Sequence, residues 1–166
     1  MKFLSVLMLF TLAACSVEKK KESCTYNGVK VDCDQREQRP DLSPLRGTKL
    51  KAQINADISV NPDGKSFEVL ENTNDSQEAS AGGVTFNCAI ETRAGQKVDY
   101  KINGATATLN VEGKPLTLTR VYGPLNSQQL DYGWKTTLTE NGVRLDLNFE
   151  FRGQKEMVMS QSCTIL

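Results

Sequence analysis

Lys49-Leu50-Lys51-Ala52-Gln53-Ile54-Asn55-Ala56-Asp57-Ile58-Ser59-Val60 is the stretch whose reading decides the fold. Every even position is apolar and every odd one polar or charged. Side chains of a strand alternate between the two faces of a sheet, so a period of two predicts a long strand with one buried and one wet face. No helix could keep those six apolar residues on one side, because its period is 3.6.

The same rhythm runs on toward the C-terminus. Asn61-Pro62-Asp63-Gly64 has the composition of a turn, and Ser66 to Leu70 returns as a shorter strand. Val84, Phe86, Cys88 and Ile90 share a face, followed by Val98, Tyr100 and Ile102, then Ala105, Ala107, Leu109 and Val111. Leu116 and Leu118 lead toward Val121 and Tyr122, and Gly123-Pro124 opens a loop to Gln129. Leu130, Tyr132, Trp134, Thr136 and Leu138 come next, and Asn141-Gly142 makes a hairpin into Val143, Leu145, Leu147, Phe149 and Phe151. The last run places Met157, Met159, Cys163 and Ile165 on one face, with Gln161 among them. The whole reads as an all-β domain over 49–166, an antiparallel meander of about eight or nine strands. It closes into a small lipocalin-like barrel or a sandwich. In a closed barrel the first strand pairs with the last. Asn72 to Gly83 is polar or small throughout and reads as a loop, either functional or disordered.

At the other end of the chain, Lys2 precedes an apolar run from Phe3 to Leu12, too short to span a bilayer as a helix. It has the build of a cleavable signal. Leu12-Ala13-Ala14-Cys15 resembles the lipobox of bacterial lipoproteins. That resemblance, confined to residues 1–15, implies that 1–14 are removed and that Cys15 carries fatty chains. Two chains give stable membrane anchoring. The implied address is the bacterial cell envelope, and Ser16 after the cysteine points to the outer membrane. Residues 15–23, with Lys19, Lys20 and Lys21 between two glutamates, form a lipidated tether. A transmembrane β-barrel also alternates, but it would carry aromatic girdles at strand ends, whereas Phe86, Tyr132, Trp134 and Phe149 sit within strands.

In an exported chain the four remaining cysteines, Cys24, Cys33, Cys88 and Cys163, read as two disulfides. No Cys-x₂₋₄-Cys spacing suggests zinc. Residues 24–33 form a hairpin around Asn27-Gly28. A two-residue turn would set Cys24 against Val31; a four-residue loop from Asn27 to Lys30 sets Cys24 against Cys33 and permits a staple, and is the preferred reading. Residues 34–48, with Pro40 and Pro44, read as a linker. Cys88 and Cys163 both sit on inward faces and fit a bridge across the barrel closure.

Composition narrows the chemistry. Twenty basic and twenty acidic side chains leave a net charge of zero, without the basic stripe of a nucleic-acid binder. The absence of histidine removes the commonest general base and the commonest transition-metal ligand. No Ser-x-x-Lys, Gly-x-Ser-x-Gly or phosphate-cradling glycine loop is present. Asp99, Asp131, Asp146 and Glu150 fall on wet strand faces, as solvated surface. The chain is therefore expected to be no enzyme, with no metal, no cofactor and no nucleic-acid partner. The best site candidates are Tyr132 and Trp134, two apart on one face, with Arg120 an unexpected charge near a strand end. They would line a barrel mouth that holds a small apolar ligand or an envelope protein, in the manner of a lipocalin-like or enzyme-inhibitor-like module. A structural or assembly lipoprotein with no ligand pocket is the alternative.

Overall fold

The structure is a computed structural model that describes residues 23–26, 29–32, 41–89 and 92–166. Cys15 and the lipobox, the tether up to Glu22, and Cys33 lie outside the described residues.

Eight strands close into an antiparallel barrel: β3 (Lys49–Val60), β4 (Ser66–Ser76), β7 (Lys97–Asn103), β8 (Thr106–Val111), β9 (Lys114–Arg120), β10 (Gly133–Glu140), β11 (Val143–Arg152) and β12 (Glu156–Ile165). The alternation in β3 does what it predicted. Leu50, Ala52, Ile54, Ala56 and Ile58 are buried, while Lys49, Lys51, Gln53, Asn55 and Asp57 face solvent. The first wall strand closes on the last, β3 against β12, from Asp57↔Glu156 to Lys49↔Thr164.

The interior is filled by side chains from every strand. Ile54, Phe67, Val69, Leu109, Leu118 and Trp134 are each at most 2% exposed. Phe67, Phe151 and Phe149 pack ring to ring, with centroids 5.7 Å apart for the first pair and 6.4 Å for the second. A barrel of eight strands is just wide enough for side chains to fill.

A second sheet sits beside the barrel, in the order β1 (Ser23–Tyr26), β2 (Val29–Asp32), β6 (Val84–Asn87) and β5 (Glu78–Ala81). The hairpin β1–β2 joins it through Val29↔Phe86. Its register is Tyr26↔Val29 and Cys24↔Val31. This is the two-residue connection, not the four-residue loop preferred from the cysteine spacing. Two-residue connections match the right-handed twist of paired strands, and that local preference sets the register here. The proposed Cys24–Cys33 staple involves Cys33, outside the described residues.

The stretch 72–83 is no loop. It completes β4, forms β5 and turns at Gly82-Gly83, whose φ values of 58° and 78° favour glycine. The polar run hid this because β4 follows a long partner: Asn72 to Ser76 pair with Ala56 to Ala52 of β3. The register shifts between Asp57 and Ile58, so Leu70 has no opposite number; this bulge leaves it 50% exposed. The strand at Val84, expected in the barrel wall, belongs instead to the side sheet.

A separate apolar cluster lies where this sheet meets the barrel. Leu45, Leu50, Ala52, Phe86, Cys88, Val143, Cys163 and Ile165 compose it. Leu45 belongs to a 3-10 turn, Ser43–Leu45, so the end of the stretch read as linker is docked on the barrel. The disulfide Cys88–Cys163, with its Cα atoms 5.9 Å apart, ties the β5–β6 excursion to β12. The Gln161 side chain, an oddity on an inward face, is buried against that bridge and donates to Cys163 Sγ at 2.9 Å and to Cys88 Sγ at 3.4 Å.

Candidate functional site

The structure brings Arg120, Tyr132 and Trp134 together. Arg120 is the last residue of β9 and faces Trp134 across the ladder. Both positions point inward, so the ladder forces a long cationic side chain into the barrel end. Its guanidinium lies over the Trp134 ring at 4.4 Å and the Tyr132 ring at 4.9 Å. Among the described residues no carboxylate comes within ion-pair distance of it. Two aromatic faces are its electrostatic counterweight, and a stacked guanidinium suits them better than an ammonium would.

The fork has a second task. Nη1 donates to the Pro124 carbonyl and Nη2 to the Ser127 carbonyl at 3.1 Å. Both acceptors belong to the loop 121–132, which is folded over this end of the barrel. Leu130 inserts into the core at 1% exposure, and Val121 N–H bonds the Gly133 carbonyl at 2.8 Å. Arg120 Nε and Trp134 Nε1 are buried with no hydrogen-bond partner among the described residues. The three residues expected to line an open mouth are engaged with one another and with the loop that covers them.

Two glycines fix how the loop sits. A Cβ on Gly123 would lie 2.1 Å from the Tyr132 ring, and one on Gly133 would lie 2.1 Å from the Tyr122 ring. Each tyrosine thus rests on a bare backbone, Tyr132 within and Tyr122 outside. Gly123 also has φ of 105°, which a side chain would resist. The Tyr122 pKa is raised, by partial burial first and by the nearby Glu150 carboxylate second. Glu150 itself is held below its ordinary range, mainly by Arg152, whose Nε donates at 2.8 Å.

What the loop offers to solvent is apolar. Val121, Tyr122 and Leu125 are 54%, 51% and 62% exposed. Val121 and Tyr122 border a shallow depression of about 150 Å³ on the outer wall, completed by Asn148, Glu150, Val158 and Ser160. Sequence reading looked past these residues because alternation extends Val121 and Tyr122 into a strand. The available signal was Leu125, a large apolar residue in a loop of Gly, Pro, Asn, Ser and Gln.

Of the four carboxylates expected on wet strand faces, Asp99, Asp146 and Glu150 lie on strands, whereas Asp131 is half-buried in the loop 121–132; each is tied up separately. Asp146 accepts from Thr137 Oγ1 at 2.7 Å and from Arg144, which lower its pKa in that order. Asp131 accepts the Gln154 N–H at 3.0 Å, and Asp99 lies 3.8 Å from Lys97 Nζ. No protein-family model matches the chain, and no curated protein or solved structure matches it. The fold and the site together define a filled, eight-stranded antiparallel barrel with a pinned apolar loop.

Proposed function

We propose that this chain is a lipid-anchored lipoprotein of the bacterial envelope, held at the outer membrane, whose barrel binds a protein partner through the loop 121–132. The observation that carries the reading is the exposure of Val121, Tyr122 and Leu125 on a loop locked from beneath by Arg120. Apolar side chains displayed on a rigid support lose little freedom on binding, and that favours association. A filled interior with Trp134 fully buried speaks for a partner at the surface over a small apolar ligand inside. The anchor rests on Leu12-Ala13-Ala14-Cys15. The domain acts by binding and performs no catalysis.

The test is affinity capture from envelope extract with the full chain and with a Tyr122→Ser/Leu125→Asp variant. A partner retained by the first and lost by the second supports the reading. Equal capture by both, or saturable quenching of Trp134 by an apolar ligand, overturns it. Cys15→Ser should abolish palmitate labelling if the anchor is correctly placed.

A further inference from the structure

The barrel is thinnest between β9 and β10, which share only the pairs Trp134↔Arg120 and Lys135↔Thr119. Strand β10 continues for five more residues, Thr136 to Glu140, paired on its other side with β11 as far as Glu140↔Val143. The direction of its free groups can be worked out. Gly133 C=O accepts from Val121 on the β9 side, whereas Tyr132 C=O accepts from Phe151 on the β11 side. Along an antiparallel strand these directions alternate. The N–H and C=O of Thr137 and Thr139 therefore face the open edge.

Other open stretches of the wall are guarded. The seam between β4 and β7 is also short, but Val69 exchanges hydrogen bonds there with Gln96 and Gly95, and Asn72 reaches Thr92. The β9 edge that faces β10 carries Pro115, which has no N–H to offer. Among the described residues nothing comparable protects β10. Over 136–140 it has three threonines, no proline, no lysine and no bulge, and Leu138 is 39% exposed. An edge with free donors and acceptors and β-forming side chains is a template for another strand.

We propose that a second copy of this chain docks here, the two β10 strands pairing antiparallel about a two-fold axis at Leu138. The symmetry of the free groups selects this occupant. With the axis at Leu138, Thr137 exchanges both of its bonds with Thr139 of the partner subunit, and Thr139 does so with the partner's Thr137. All the free groups of both edges are then satisfied. An axis at Thr137 would instead oppose Thr139 to the partner's Lys135, a residue already in register with Thr119. An axis at Thr139 would run Thr137 into the turn at Asn141. With the axis at Leu138, that side chain meets its own copy in the close, non-hydrogen-bonded position. Glu140 faces the partner's Thr136, so no like charges meet, and the pairing ends there, short of Lys135, whose edge is already held by Thr119. The contact is short, and the association is correspondingly weak in free solution. For copies held on one membrane, as proposed above, a raised effective concentration favours it.

The test uses the full chain in mild detergent. Leu138→Cys, gently oxidised, should give a disulfide-linked dimer at least tenfold above the parent chain and above Thr136→Cys, whose mate is residue 140. Mixing Thr136→Cys with Glu140→Cys chains should restore a linked pair. Adding Thr139→Pro to Leu138→Cys should abolish the link while Trp134 emission stays native, because that N–H points away from β11 and has no partner among the described residues. Should the proline variant fail to fold, Leu138→Lys sets two cations face to face, and its sedimentation should be monomeric where the parent dimerises. Equal linking at 136 and 138, linking that survives Thr139→Pro in a folded chain, or a parent chain that stays monomeric at millimolar concentration would overturn the proposal.

Discussion

Gly133→Ala probes how the loop 121–132 is seated. The new Cβ would lie 2.1 Å from Tyr122 Cε1, 2.6 Å from Cδ1 and 2.9 Å from Cζ, so something must retreat by more than an ångström. The strand is held in register with Glu150 and by the bond from Val121, while the Tyr122 ring is half exposed; the ring therefore swings out. A tyrosine buries roughly 150–250 Å² when fully enclosed. Losing half of that costs about 2–3 kcal/mol at ~25 cal/mol/Å², an upper estimate. Alanine in place of glycine within a strand returns about 0.5–1 kcal/mol. The net loss is about 1–2.5 kcal/mol, or roughly 4–10 °C in Tm for a domain of this size. In a Tyr122→Ala background the obstruction is gone and the same substitution should stabilise by about 0.5–1 kcal/mol. Urea and thermal unfolding of the four chains, followed by Trp134 fluorescence, measures both signs. A Gly133→Ala chain that is neutral by itself, or equally destabilised in both backgrounds, would refute the stacking of Tyr122 on Gly133.

Replacing Cys88 and Cys163 by alanine releases a 75-residue separation and should cost about 4 kcal/mol on the chain-entropy model, read as a drop in the urea midpoint that reduction of the parent chain reproduces. Arg120→Lys keeps the charge but loses the planar fork, so the Pro124 and Ser127 carbonyls cannot both be held. Amide exchange across 122–130 should speed up, with a stability loss of about 1–3 kcal/mol. Stability should be flat between about pH 6 and 8, because no histidine titrates there. Asp146 and Glu150 have lowered pKa values, so their contribution is present at neutral pH and fades as acid protonates them. Tyr100 and Tyr122 are raised by burial first, so their contribution is lost as alkali is added beyond the ordinary phenol range. A Tm profile against pH checks all three arms.

The strands of the wall were legible because a half-buried strand writes its two faces into alternate residues, as Leu50 to Val60 and Val143 to Phe151 do. Closure of β3 on β12 followed from those faces; the Cys88–Cys163 pairing was expected too, but it ties the end of the side-sheet strand β6 to β12 and does not join two wall strands. The side sheet did not follow. Glu78 to Ala81 carry only small or polar residues and are shaped by β6 and the docked 3-10 turn, not by a hydrophobic stripe. Arg120 stood out as a misplaced charge next to Tyr132 and Trp134, and the three do meet. Alternation, however, assigns a face and not a cover. It cannot tell that the loop carrying Pro124 and Ser127 folds back over the guanidinium, so a pinned barrel end was read as an open mouth.

The measurement that tests the central claim most directly is site-specific photo-crosslinking in the envelope, with the photoreactive residue at Leu125 in one full chain and at Asp75, exposed on β4, in another. The account predicts a discrete protein adduct from position 125 that is absent from position 75. No adduct at 125, or the same adducts from both positions, would contradict it.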